Sequence, residues 1–331
     1  MVHSYIRFDI PNSLSFITRF GQMGCQIFFV ISGFSLMLSC DRHQYGLKEF
    51  YKKRFWSIAI GYWLTIAIYA LLAFGSLHFF GSNLLGTSIK GLDYLANICL
   101  LQGVFSSSAN NQTIRGGWYI GTLIVLYLLF PLIRLLFKKY TPPLIMIVLS
   151  SICMMIIVGI SMIGEKWYCG NNSFTYYSFI NQLPYFIIGM SLYQANKEER
   201  KCKNSLLAGI ILMILSIYIF NSDLQFAFVI EPTLFSMSIY FLLIDALSRK
   251  SNRTYPKFLM KFGDLSYPIF LTHFFVVYEM ASVVKIVAHR FVEFPEWIIY
   301  LCWLPIAYVI VYITAYIFNL LLKRIRVIAQ I

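Results

Sequence analysis

The sequence predicts an all-α, polytopic bundle of transmembrane helices, and three observations support this fold class. Hydrophobic residues make up 59% of the 331 residues and charged residues only 12%, whereas a soluble domain has about a quarter charged residues. The mean hydropathy is +0.70. Apolar runs of about 20 residues, the length that crosses a hydrocarbon core, recur along the whole chain. This composition excludes a disordered chain and a small disulfide scaffold.

Nine segments are candidate membrane spans, and each must be helical throughout because lipid offers no partner for free backbone groups. In chain order they cover roughly 20–39, 56–80, 118–137, 143–163, 175–194, 205–221, 224–247, 265–285 and 297–322. The apolar stretch 92–105 is shorter and is interrupted by Asn97 and Gly103, so we expect a re-entrant or interfacial piece there. We expect residues 1–331 to form a single membrane domain.

The basic residues lie between the predicted spans and indicate the orientation of the chain. The formal net charge is +13, from 27 Lys and Arg against 14 Asp and Glu. Lys and Arg are retained in cytoplasmic loops, and 20 of the 27 fall in alternate connections, at 42–54, 134–139, 197–203, 249–261 and 323–326. The first of these spans therefore runs from outside to inside. Because topology accounts for the basic surplus, we expect no nucleic-acid partner.

The sequence lacks the common motifs of soluble enzymes and of metal sites. It has no Gly-x-Ser-x-Gly nucleophile elbow, no Walker loop and no His-Glu-x-x-His. The seven cysteines form no Cys-x-x-Cys pair and most of them lie inside apolar runs. We therefore expect neither a metal site nor a disulfide framework.

Ionisable side chains within the predicted spans are candidates for function because a charge inside a membrane is costly. These residues are Arg134, Glu231, Asp245, His273 and Glu279. Arg134 and Asp245 lie near cytoplasmic helix ends, where their side chains can reach water. Glu231 and Glu279 lie toward the outer halves of their helices and could line an outward-facing polar cavity. His273 lies about eight residues into its span, and it either faces a cavity or is a hydrogen-bonded structural residue.

Five stretches of sequence, spread over nearly the whole chain, carry a resemblance to a known family. The first, GQMGCQIFFVISGF at 21–34, combines small residues that permit close helix contact with an aromatic helix. The others are FYKKRFWSI at 50–58, WYIGTLIVLYLLFP at 118–131, LPYFIIGM at 183–190 and FGDLSYPIFLTH at 262–273. In sequence and in order these motifs resemble those of the integral-membrane acyltransferases called the acyltransferase 3 family.

The resemblance implies a fold of ten spans whose first helix ends near an essential histidine. Residues 1–4 look like the end of that helix, so we expect the helix to be incomplete in this sequence and His3 to be the catalytic residue. The family's Arg about eleven residues before this His has no counterpart here. The sequence also departs from the family pattern at Ser57, where an Arg-x-x-Arg motif has its second Arg, and at Leu123, where many members have Glu.

The activity implied by the resemblance is transfer of an acetyl group from cytoplasmic acetyl-CoA to a hydroxyl of a surface polysaccharide or lipid-linked sugar, at a bacterial inner membrane. A histidine, with an ordinary pKa of about 6.5, can accept the hydroxyl proton at neutral pH. Arg54 and Lys53 either bind the phosphates of the donor at the cytoplasmic face or serve only the positive-inside orientation. Acetyl-CoA is then a co-substrate, and we expect no permanently bound cofactor.

Further residues are expected to line the channel or the acceptor site. Ser32 and Gly33 would shape a passage, and the aromatic side chains would stack on sugar or adenine or belong to the membrane interface. The expected lining set is Ser32, Gly33, Trp118, Tyr119, Glu231, Tyr267 and His273. The alternative function is that of a non-enzymatic membrane protein, either a polysaccharide transporter or an inactive truncated paralogue.

Overall fold

The structure is a computed structural model that describes residues 7–11, 23–80, 91–104, 113–163, 174–198, 204–222, 224, 227–248, 257–291 and 294–328. Its helices are α1 (Gly24–His43), α2 (Leu47–Phe80), α3 (Leu92–Ile98), α4 (Trp118–Lys139), α5 (Pro142–Ile163), α6 (Phe174–Tyr177), α7 (Phe179–Lys197), α8 (Ser205–Phe220), α9 (Ala227–Ser248), α10 (Lys257–Phe274), α11 (Ala281–Phe291) and α12 (Glu296–Ile328). A π-helical segment, Phe275–Met280, joins α10 to α11. These described ranges contain no strand.

The nine predicted spans are largely helical over their described residues, so the all-α polytopic prediction is confirmed. The span 175–194 was predicted to be helical throughout, and this was wrong: Ser178 has an extended backbone and divides it between α6 and α7. Within the described residues, five helices are long and apolar enough to cross a membrane: Gly24–His43, Leu47–Phe79, Trp118–Phe137, Gly263–Phe291 and Glu296–Ile328. Shorter apolar helices occur at Leu144–Ile157, Ser205–Phe220 and Ile230–Ile244. α12 has 33 residues and is therefore about 50 Å long, so its ends extend beyond a hydrocarbon core about 30 Å thick.

α7 is neither one of the five long apolar helices nor one of the three shorter ones, and it lies at the centre of the bundle. Thirteen of its 19 residues are buried. The side-chain amides of Asn181 and Gln182 donate hydrogen bonds to the carbonyl of Tyr176, at 3.2 and 2.7 Å. Because α7 contacts protein on most of its surface, polar residues can occur in it without facing lipid.

The backbones of α1 and α7 are in direct contact where the two helices cross, because each helix has a glycine that faces the backbone of the other. A Cβ atom built on Gly33 would lie 2.1 Å from the carbonyl oxygen of Phe186, and one built on Gly189 would lie 1.9 Å from that of Val30. Any larger residue at either position would force the helices apart, as at other small-residue contacts between membrane helices. This crossing fixes the rotation of α1 about its axis.

The stretch 91–104 forms the short helix α3 followed by turns, with too few helical residues to span a membrane. It packs against the middle of α2 and the outer end of α4. The Tyr62 hydroxyl donates to Oδ1 of Asn97 at 3.1 Å, and the Gln102 amide donates to the carbonyl of Gly117 at 2.9 Å. Asn97 and Gln102 are both fully buried, so their hydrogen bonds stabilise this connection inside the protein.

Candidate active-site cavity

A polar cavity of about 340 Å³ lies among α1, α2, α4, α10 and α12. This volume is within the range of small-molecule sites, roughly 300–1,000 Å³. Its lining residues are Phe28, Ile31, Ser32, Ser35, Ser57, Ile58, Tyr119, Leu123, Tyr127, Asp264, Ser266, Tyr267, Pro268, Phe270, Asn319, Leu322 and Arg326. Hydroxyl, amide and charged groups therefore gather between helices that are otherwise apolar, which is typical of a functional site in a membrane protein.

The cavity extends along the bundle from its cytoplasmic end toward its outer half. In the orientation predicted from the basic loops, Asp264 and Arg326 lie at the cytoplasmic ends of their helices. Phe28 and Tyr119 lie in the outer halves of α1 and α4. The rise of α4 from Tyr119 to Tyr127 is about 12 Å, so the cavity covers about 40% of a hydrocarbon core about 30 Å thick.

Aromatic rings close the outer end of the cavity. The ring of Tyr119 lies 4.8 Å from that of Phe270 and 4.6 Å from that of Phe29, measured between centroids. The Ser32 hydroxyl lies beside the phenol groups of Tyr119 and Tyr127. The outer part of the cavity thus combines an aromatic wall with hydroxyl groups that can donate to a ligand oxygen.

Tyr267 is held in the wall of the cavity by α2. Its hydroxyl donates to the carbonyl of Ile58 at 2.5 Å. A Cβ atom built on Gly61 would lie 2.7 Å from ring carbon Cε1 of Tyr267, so the absence of a side chain at Gly61 permits this close approach. The ring is therefore fixed in position beside the cavity.

Two guanidinium groups lie at the cytoplasmic end. Arg326 lines the cavity, and its Nη2 donates to the carbonyl of Ser57 at 3.0 Å. Arg54 lies just behind, since its own carbonyl accepts the Ser57 hydroxyl at 2.8 Å and its Nη2 donates to the Ser39 hydroxyl at 2.6 Å. Within the described part of the chain, the buried Nε of Arg54 has no hydrogen-bond partner. Both side chains are permanently charged, and their N–H groups suit an anionic ligand.

Lys53 lies away from the cavity, although it is adjacent to Arg54 in sequence. Its side chain is exposed, and its ammonium group hydrogen-bonds to the Tyr45 hydroxyl. The same ammonium lies 4.5 Å from the centre of the Tyr45 ring. Lys53 can therefore contribute to the charge of the cytoplasmic surface but is not among the residues that line the cavity.

Three members of the expected lining set, Ser32, Tyr119 and Tyr267, line the cavity together. Gly33 lies at the crossing of α1 with α7. Trp118 is buried beside the cavity, and its ring stacks on that of Tyr177 with 4.8 Å between centroids. The structure thus separates Gly33 and Trp118, which contact other helices, from the residues that face the open volume.

Glu231, His273 and His3 are the remaining expected site residues. Glu231 is 2% exposed, and its carboxylate accepts a hydrogen bond from the Ser216 hydroxyl at 3.2 Å, between α8 and α9. Nδ1 of His273 lies 2.7 Å from the carbonyl of Phe270 in its own helix, one turn beyond the outer end of the cavity. His3 lies outside the described residues.

The sequence interpretation missed the contribution of α12 to the cavity. Asn319, Leu322 and Arg326 lie three and four residues apart, a spacing that places them on one face of a helix. The signal available in the sequence was an amide inside an apolar span, Asn319, followed two helical turns later by the basic residue Arg326. Ser57 and Leu123, the two positions that depart from the family pattern, also line the cavity.

Comparison with known proteins gives a family match that covers nearly the whole chain. The model of an acyltransferase domain, acyltransferase 3, matches residues 1–319. An uncharacterized protein of Haemophilus influenzae is 26% identical over 241 residues, which cover 68% of this chain and 98% of that protein. No solved structure matches the chain significantly.

Proposed function

Because the chain belongs to the acyltransferase 3 family and is therefore a multi-pass membrane acyltransferase, we propose that it transfers acetyl groups from cytoplasmic acetyl-CoA to a surface polysaccharide or lipid-linked sugar. The observation that carries this proposal is the polar cavity, which has guanidinium groups at its cytoplasmic end and extends into the outer half of the bundle. A bacterial inner membrane is the location where such a donor and such an acceptor lie on opposite sides.

In this proposal Arg326 and Arg54 bind the phosphates of the donor. Guanidinium groups bind phosphate through two parallel N–H···O bonds, and Arg54 retains a buried N–H without a partner among the described residues. A cavity of about 340 Å³ is near the lower limit for ligand sites. The narrow thioester arm of acetyl-CoA therefore enters the cavity, while the charged nucleotide stays at the cytoplasmic mouth.

The reaction requires a base and a stabilised thioester oxygen. The acceptor hydroxyl oxygen attacks the thioester carbonyl carbon as a base takes its proton, the C–S bond breaks, and the departing thiolate takes the proton from the protonated base. We assign the base to His3, since histidine transfers protons well near neutral pH. Ser32 and Tyr119 lie at the outer part of the cavity, where their hydroxyl groups can donate to the negatively charged carbonyl oxygen.

The experiment that tests this function compares the surface glycans of matched strains by NMR. One strain has the intact gene, one has a deletion, and one has His3→Ala introduced at the chromosomal gene. Acetyl signals are expected only in the first strain, with the variant protein still present in the membrane fraction. A deletion strain that keeps every acetyl signal contradicts the proposal and favours a polysaccharide transporter or an inactive paralogue.

A further inference from the structure

A second polar cluster lies on the outer side of the bundle, away from the cavity. It consists of Arg7, Arg115, Tyr278 and Glu279, and we call it the outer arginine cluster. Arg115 lies just before α4, and Tyr278 and Glu279 belong to the π-helical segment between α10 and α11. All four residues are on the outer side in the orientation predicted from the basic loops.

One carboxylate and one aromatic ring hold both arginines. Oε1 of Glu279 is 3.1 Å from Nε of Arg115, and Oε2 is 4.0 Å from Nη2 of Arg7. The guanidinium carbons of Arg7 and Arg115 lie 3.8 and 4.2 Å from the centre of the Tyr278 ring. Among the described residues these two positive groups share Glu279 as their negative partner, and their mutual repulsion favours a further anion beside them.

The outer arginine cluster has N–H donors available for that anion. The side chains of Arg7 and Arg115 are 33% and 37% exposed. Among the described residues, the buried Nε of Arg7 has no hydrogen-bond acceptor. A guanidinium has five N–H groups in a planar fork, and the contacts with Glu279 are made by Nη2 of Arg7 and Nε of Arg115. Both forks can therefore bind a phosphate or a carboxylate while Glu279 keeps them in place.

The neighbouring charges do not neutralise the cluster. Glu296, at the start of α12, is paired with Lys285 at 2.7 Å and with His289 at 3.3 Å. Its backbone contact is with the N–H of Asp9, which donates to Oε2. The Glu296 carboxylate is thus paired with cations of α11, and in the described part of the chain it forms no ion pair with Arg7 or Arg115.

The backbone at this point is itself unusual. Residues Phe275–Met280 are π-helical, and single π-helical turns occur frequently at functional sites. In this segment two consecutive residues, Tyr278 and Glu279, contact the same arginine, Arg115. The irregular turn therefore builds the cluster.

We propose that Arg7 and Arg115 bind an anionic group, a phosphate or carboxylate, of the acceptor molecule. This inference rests on the proposed function and narrows the acceptor to an acidic one. His3 precedes Arg7 by four residues, so their Cα atoms are at most about 14 Å apart in any conformation, a distance that one saccharide acceptor can span. An acidic sugar supplies a carboxylate, and a sugar linked to lipid through diphosphate supplies phosphate.

The test is direct binding to the full chain in lipid nanodiscs, measured by titration calorimetry with inorganic diphosphate, glucuronate and neutral glucose. At least one anion is expected to bind, and glucose is not. Arg115→Gln should weaken anion binding by roughly tenfold or more, because a charge-assisted contact is lost. Glu279→Gln should strengthen it severalfold, because a competing negative charge is removed while an acceptor oxygen remains. Arg290→Gln, at an exposed arginine of α11 on the same side, is the matched control and should have no effect.

The outcomes identify the source of the anion and distinguish anion binding from a purely structural ion pair. Binding of diphosphate alone assigns the cluster to a lipid-linked acceptor, and binding of glucuronate assigns it to an acidic sugar. Equal anion affinities of the unaltered chain and Arg115→Gln overturn the proposal, as does a loss of binding in Glu279→Gln, which would indicate a structural ion pair. Arg115→Lys retains the charge and should keep part of the affinity, which excludes misfolding as the cause. Because no acetyl transfer is measured, the result is independent of whether the proposed reaction occurs.

Discussion

Arg326→Gln should raise the KM for acetyl-CoA far more than Arg324→Gln does. Both arginines lie in the last turns of α12, and each substitution removes one positive charge from the same end of the bundle. Arg326 lines the cavity and donates to the carbonyl of Ser57 at 3.0 Å, whereas Arg324 is exposed to solvent. A comparison of the two variants therefore distinguishes the loss of a specific phosphate contact from a weaker general electrostatic attraction to a basic surface.

The size of the effect follows from the contact that is lost. Hydrogen bonds to charged groups contribute about 1.5–3 kcal/mol, which corresponds to roughly a tenfold to 150-fold change in affinity. Only one nitrogen of Arg326 is used by Ser57, so the rest of the guanidinium fork is available to phosphate. Removal of the exposed Arg324 should change the affinity by less than about threefold, because solvent and salt screen its charge.

The assay is the initial rate of acetyl transfer in inside-out membrane vesicles as a function of acetyl-CoA concentration. Arg326→Gln should raise the KM for acetyl-CoA and leave kcat nearly unchanged, because Arg326 lies at the mouth and not at the reacting thioester. Arg326→Lys should recover part of the loss, since the charge remains but the two-pronged geometry does not. Equal KM values for Arg326→Gln and Arg324→Gln would refute the reasoning, and so would a loss confined to kcat.

Gly33→Ala should lower the free energy of unfolding by about 1–3 kcal/mol, since its Cβ would meet the Phe186 carbonyl at 2.1 Å. Gly75→Ala, in open space on α2, should raise it by up to about 1 kcal/mol. Thermal unfolding in detergent measures both, and shifts of the same sign would contradict the crossing. In a background without accessible cysteines, an impermeant maleimide should label a cysteine at exposed Phe294 in intact cells and one at exposed Tyr140 only after permeabilisation. The reverse labelling pattern would invert the orientation of the bundle.

The helical spans were predictable from sequence because the bilayer leaves the backbone little choice. A chain inside lipid must satisfy its backbone groups internally, so apolar length alone located the long helices of the bundle, although not the break at Ser178 between α6 and α7. The arrangement of the helices was not predictable in the same way. The contact of Gly33 with Phe186 joins residues far apart in sequence, and small residues at one helix surface do not specify which other helix approaches them.

The residues of the candidate site were likewise predictable only in part. Ser32, Tyr119 and Tyr267 were expected to line a passage, and they lie around one cavity. Arg326 was assigned only to the orientation of the chain, because a basic residue at a cytoplasmic helix end serves that purpose in most membrane proteins. Its contact with Ser57 of α2 and its place in the cavity wall distinguish it from Arg324. Glu279 likewise had no identifiable partner in the sequence, since Arg115 lies in the connection before α4, far from Glu279 along the chain.

The two arginine sites lie at opposite ends of the bundle, and their charges place a limit on how the substrates can meet. Neither phosphates bound at Arg326 nor an anion bound at Arg115 can enter the apolar interior without a large cost. The groups that react, a thioester and a hydroxyl, are both uncharged. Among the described residues, the rings of Tyr119 and Phe270, 4.8 Å apart, lie at the outer end of the cavity. In the proposed reaction the uncharged groups therefore meet near this aromatic wall, while the charged parts of both substrates remain on their own sides of the membrane.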